Sequence, residues 1–179
     1  MLDIEKSCLV IVDVQGKLAR LMHDKQTLFD NIEILIKAAG ILDIPIINCR
    51  QYPKALGDTI DQLASHLEGI DPVDKLCFSC LGSEEFAQKL DQIDRPDIIL
   101  TGIETHVCIY QTAMDLLNTD HRVHLVTDAV SSRKSSDRQT AIERMRTEGV
   151  KLSTTEMVLF ELLKTAKHEK FKQIASLVK

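Results

Sequence analysis

Short apolar runs rich in Val and Ile return along this chain, roughly 25–35 residues apart through most of it, with helical patterning between them. That alternation constrains the fold more than any other feature. A strand, a helix and a second strand in one sheet connect by a right-handed crossover, so repeated alternation builds a parallel sheet with helices on its faces. "CLVIVDV" (8–14) is apolar at nearly every position, as a strand buried on both faces must be. "IPIINC" (44–49), "DIIL" (97–100), "VHLVTD" (123–128) and the short "VKLS" (150–153) follow it, and a further strand is expected near "DPVD" just before Lys75.

The helical segments carry their own signals. Phe29, Ile32, Leu35, Ile36 and Ala39 recur at helical spacing, with Gly40 as the expected stop. Ser83 is a cap followed by two acids, with Phe86, Leu90 and Ile93 on one face. Ile109, Thr112, Ala113, Leu116 and Leu117 form a stripe after Cys108. Residues 137–148 carry Ala141, Ile142 and Met145 and end at Gly149. Ser153 and Glu156 have the spacing of a capping box, and Phe171, Ile174, Ala175 and Val178 share a face of a last helix. The pattern predicts a three-layer α/β fold: a doubly wound, mostly parallel sheet of about six strands, in one domain spanning 1–179. The stretch 50–75 is too long for a plain connection and is expected to shape a site.

Composition narrows the function. The net charge is −5 with no basic run, which argues against nucleic acid as the main partner. No apolar stretch reaches the length of a membrane span, and the N-terminus lacks the order of a signal peptide. A cytoplasmic, reducing setting is expected, with the five cysteines as free thiols.

Ligands of open α/β sheets bind beyond the carboxyl ends of the strands. Asp13, Lys75 and Cys108 all fall there. Together they have a chemical logic. A helix N-terminus and an ammonium favour a thiolate, a buried carboxylate takes and returns the proton, and turn amides before the sulfur can bind an oxyanion. Position alone leaves plainer readings open: Asp13 as a cap, Lys75 as a solvated loop residue, Cys108 as a core thiol.

Four segments carry a resemblance. "LVIVDVQ" (9–15), "DKLCFS" (74–79), "TGIETHVCI" (101–109) and "VTDAVSSR" (126–133) are similar, in order and separation, to the motifs of the isochorismatase-like cysteine hydrolase family. The wording of "QYPKALGDTI" and "DAVSSRKSSDRQTAIERMR" resembles the isochorismatase domain-containing branch. The resemblance implies an Asp-Lys-Cys triad, with Asp13 as acid/base, Lys75 stabilising the thiolate and Cys108 as nucleophile. It also implies a cis peptide at Ile103–Glu104 that aims the Glu104 and Cys108 amides at one point. Gln15, Leu18, Tyr52 and Phe78 are the candidate substrate-binding residues. The metal-binding members have an Asp-x-His arrangement that "NCRQYPKALGD" lacks, so no metal or other cofactor is expected. The ether-cleaving members lack the cysteine, so Cys108 points to acyl chemistry. The expected activity is hydrolysis of a small amide or related acyl compound through a thioester. The alternative is a non-catalytic member serving as an interaction module. A homo-oligomer is expected in either case.

Rival constellations are weaker. Cys77 and Cys80 form a lone C-x-x-C without the second ligand pair that zinc needs. His106 stands too near Cys108 along the chain to reach it directly and is expected at a rim. No glycine pattern supports nucleotide binding. Arg133 in "SSRKSSDR" is read as a solvated loop residue, with contact to an anionic substrate as the minor alternative.

Overall fold

The computed structural model describes all residues, 1–179. Its sheet has six strands: β1 (Ser7–Val12), β2 (Ile46–Gln51), β3 (Val73–Lys75), β4 (Asp97–Ile103), β5 (Arg122–Ser131) and β6 (Lys151–Ser153). They lie in the order β3-β2-β1-β4-β5-β6, and every pairing is parallel. The expected "mostly parallel" sheet is therefore wholly parallel within its named strands, and the suspected strand before Lys75 is β3. The helices are α1 (Gly16–Arg20), α2 (Lys25–Ile41), α3 (Pro53–Leu56), α4 (Asp61–Ala64), α5 (Glu84–Ile93), α6 (Tyr110–Leu117), α7 (Ser135–Thr147), α8 (Thr155–Leu163) and α9 (Phe171–Ser176).

Alternation along β1 splits the interior in two. Leu9 and Ile11 face one core, with α2, α8 and α9 supplying Ile32, Leu35, Leu159 and Ile174. Cys8, Val10 and Val12 face the other, against Phe86 and Leu90 of α5, Ala113 and Leu116 of α6, and Met145 of α7. All six β1 residues are buried, which is why that run contains no alternating polar positions.

Several local expectations shift. Gly40 does not stop its helix: α2 runs on to Ile41, and Asp43 takes the left-handed conformation at φ 55°. The cap before α8 is Thr154, whose side chain accepts from Met157 N, so the box read at Ser153 and Glu156 is one residue out. Ser83 does cap α5, accepting from Phe86 N. Gly149 leaves α7 at φ 103°. The stretch after β2 is not a bare loop, since α3 and α4 lie within it.

Two glycines hold the carboxyl edge of the sheet together. At Gly102 (φ 116°) a Cβ would stand 2.2 Å from Val12 O, so β4 can lie this close to β1 only without a side chain there. At Gly16 (φ 51°) a Cβ would stand 1.8 Å from Leu56 O, which locks the start of α1 against α3.

Candidate active site

Three strand ends deliver the central residues. Asp13 follows β1, where its amide donates to Cys49 O at 3.0 Å and its backbone turns left-handed at φ 56°. Aspartate tolerates that region better than most residues. Lys75 ends β3, in register with Gln51 at the end of β2. Cys108 lies beyond β4 in a single π-helical turn, Thr105–Ile109, just before α6. The sulfur therefore sits within that wide turn and not at the head of the α-helix. The peptide Ile103–Glu104 is cis.

Lys75 Nζ donates to Asp13 Oδ2 at 2.8 Å, and both side chains are at most 2% exposed. The ammonium also meets Gln51 Oε1 at 2.7 Å, Phe78 O at 3.1 Å and Cys77 O at 3.3 Å. Asp13 Oδ1 has no hydrogen bond of ordinary geometry. The Cys108 thiol lies against Asp13, close enough that each alters the other's titration.

Burial raises the Asp13 carboxyl above the usual carboxylate range, against the opposing pull of Lys75. Burial by itself would lower Lys75, yet the adjoining Asp13 charge, with Cys80 and Cys108, leaves its affinity for a proton raised. For Cys108, burial comes first and the Asp13 charge second, and together they outweigh Lys75 and raise the thiol strongly. Burial and the Asp13 charge thus work against a thiolate here while Lys75 works for it, and the Asp13 carboxyl lies where it can exchange a proton with the sulfur.

Around this centre the other candidate residues take distinct places. Glu104 is buried, and its Oε1 accepts from Arg133 N (3.1 Å) and Arg133 Nε (3.0 Å). Its own N–H makes no main-chain hydrogen bond. Tyr52, itself left-handed at φ 36°, lines a cleft of about 260 Å³ with Pro53, Lys54, Asp74, Lys75 and Leu76. Leu76, Phe78 and Tyr52 are among the few exposed large apolar side chains. Gln15 does not face this cleft. It is fully buried, with Nε2 donating to Gln51 O and Gly57 O and Oε1 accepting from Gln51 N. Leu18 packs against the α2 side of the core.

The His106 ring is engaged elsewhere than at the sulfur, with Nδ1 2.9 Å from Ser132 Oγ. Cys77 and Cys80 are free thiols. Cys80 is held by its amide, which donates to Thr112 Oγ1 at 2.9 Å, and its sulfur meets Cys49, whose thiol is raised first by that contact and then by burial. Sequence reasoning missed Gln51. The available signal was a polar residue closing the strand that neighbours β1, but the register that brings it to Lys75 is tertiary.

The model described as "Isochorismatase domain" matches residues 7–157. Isochorismatase domain-containing protein 2 of Danio rerio is 40% identical over 177 residues, covering 99% of this chain and 89% of the relative. Isochorismatase domain-containing protein 2A of Mus musculus is 38% identical over 176 residues, covering 98% and 84%. Among solved structures, "MAR1 Ribonuclease" from Caenorhabditis elegans is similar with a TM-score of 0.93 and 37% identity, covering 99% of this chain and 91% of that one. The YcaC gene product of Escherichia coli, an octameric hydrolase by its description, shares the fold at a TM-score of 0.92 and 22% identity, covering 98% and 88%. No helix of the protein is long and apolar enough to cross a membrane.

Proposed function

The chain belongs to the isochorismatase-domain family, and we propose that within it this protein is a cysteine hydrolase of small, uncharged amides or related acyl compounds. The observation that carries the reading is the buried Asp13–Lys75 ion pair with the Cys108 thiol against it. As the sulfur attacks the carbonyl carbon, Asp13 takes its proton, and Lys75 stabilises the charge that moves onto sulfur and oxygen. The Glu104 and Cys108 amides stabilise the oxyanion. The carbon–nitrogen bond breaks as Asp13 returns the proton to the leaving amine, leaving a thioester. Water then attacks with Asp13 as base, and the carbon–sulfur bond breaks as the thiol recovers its proton.

Two features favour a small neutral substrate. Cys108 is only 7% exposed, and the cleft beside Lys75 is lined in part by Tyr52 and Leu76. Arg133, which meets the residue just before the turn, is already engaged by Glu104.

Release of ammonia or amine from a panel of small amides tests the reading. Turnover lost in both Cys108→Ala and Asp13→Asn supports it, with an expected fall on the order of 10²–10⁴ for the base. Turnover that survives Cys108→Ala would sink it. A second reading, RNA cleavage, is favoured by the 37% identity to a protein described as a ribonuclease. It is opposed by the net charge of −5 and the closed sulfur. A labelled single-stranded RNA in the same assay decides: cleavage that needs Cys108 favours the ribonuclease.

A further inference from the structure

We propose that Gln51 is a positioning residue for this chemistry, holding the Lys75 ammonium in place while Asp13 loses its charge. The inference rests on the hydrolase reading above and adds to it a fourth side chain that touches neither sulfur nor substrate.

An ammonium has three protons and no acceptor. At Lys75 they meet Asp13 Oδ2 at 2.8 Å, Gln51 Oε1 at 2.7 Å and the pair of carbonyls Phe78 O (3.1 Å) and Cys77 O (3.3 Å). No proton is left to point at the sulfur, so Lys75 acts on Cys108 through its charge, and its position must be fixed by other groups. Asp13 fixes it at rest but becomes a neutral acid in the reacting state, when the ammonium is most needed. The carbonyls of Cys77 and Phe78 belong to an irregular loop. Gln51 Oε1 remains an acceptor at any pH.

The orientation of that amide is determined by its surroundings. Its Nε2 donates to Leu76 O at 2.8 Å, and a flipped amide would turn an NH₂ onto an ammonium. Behind it, Gln15 braces both main-chain groups of Gln51, accepting from its N at 2.7 Å and donating to its O at 3.0 Å. This gives the buried Gln15 a place in the machinery without contact to a ligand. The titratable groups facing Cys108 are Asp13 from the end of β1, Lys75 from the end of β3 and Cys80 from the turn before α5, with Cys49 of β2 beside Cys80.

The test is the rate at which iodoacetamide alkylates Cys108 in the full chain as a function of pH, read by mass spectrometry, with the partly exposed Cys77 as internal control. In the wild type, the Cys108 rate should rise as Asp13 loses its proton and then level off. Gln51→Met, matched in length but without the acceptor, should lower that plateau about tenfold, as the loss of a hydrogen bond to a charged group implies. Gln51→Glu keeps the shape and sets a carboxylate beside Lys75. It should move the inflection upward by about one pH unit, a tenfold change in the proton equilibrium. In both variants Cys77 should keep its rate. Wild-type profiles at Cys108 in both variants overturn the inference, as do changes that appear equally at Cys77 and so report a loosened fold. A wild-type Cys108 that inflects where a free thiol does removes the hydrolase reading itself, and that result is visible before either variant is made.

Discussion

Replacing Lys75 with Met removes one partner of a buried ion pair and keeps the volume nearly constant. The two side chains are 0% and 2% exposed and 2.8 Å apart. At an effective dielectric constant near 20, two unit charges at that separation attract by about 6 kcal/mol, before the cost of desolvation is subtracted. Breaking such a pair by removing one member typically costs about 3–5 kcal/mol, because the remaining charge is left buried and unpaired. For a chain of this size that corresponds to roughly 6–20 °C in Tm. The loss should depend on pH with a definite sign. Burial already raises Asp13, and without Lys75 only the contact with Cys108 opposes that rise. A carboxyl whose folded pKa is raised favours folding below its unfolded pKa, and that contribution disappears as pH climbs through the folded value. The variant should therefore be least stable at pH 8 and recover much of the loss near pH 5, where Asp13 can remain neutral. Thermal melts of wild type, Lys75→Met, Asp13→Asn and the double variant at both pH values measure this. Equal losses at pH 5 and pH 8, or a double variant no more stable than Lys75→Met at pH 8, would refute the buried-pair reasoning.

Other consequences follow from the same structure. Gly102→Ala forces a Cβ to within 2.2 Å of Val12 O at φ 116°, so a loss of at least about 3 kcal/mol is expected in urea unfolding. Asp97 is raised by burial, but its hydrogen bonds with Arg122 and His124 outweigh this and hold it below the usual carboxylate range. Its contribution to stability is present above the ordinary aspartate pKa and is lost as pH falls through its folded value. Asp97→Asn should therefore flatten the acid limb of a Tm-against-pH curve.

How far the chain could be read in advance depended on the range of each interaction. β1 was legible because a strand buried on both faces must be apolar throughout, and Asp13 was conspicuous for interrupting that run. Ser83 was legible as a cap because capping joins residues three apart. The end of α2 was misread because Gly40 offers freedom that the chain takes instead at Asp43. The cap of α8 was one residue out because Ser153 and Thr154 both qualify locally, and β6 claims Ser153. The partners of the Gln15 amide, Gln51 and Gly57, are not legible in sequence because they are fixed by how β2 and α3 pack.

By itself the sequence determined the alternation of strands and helices, hence a parallel sheet, and named the acid, the amine and the sulfur at its carboxyl edge. Only the tertiary structure decided their surroundings. It paired Lys75 with Asp13 and Gln51 through the β2–β3 register, and it set the Cys108 thiol against Asp13 where burial raises its pKa. The physical reason is that periodicity and capping are set by neighbours along the chain. Protonation is set by desolvation and by charges a few ångströms away, and these come from residues 62 positions apart in the Asp13–Lys75 pair.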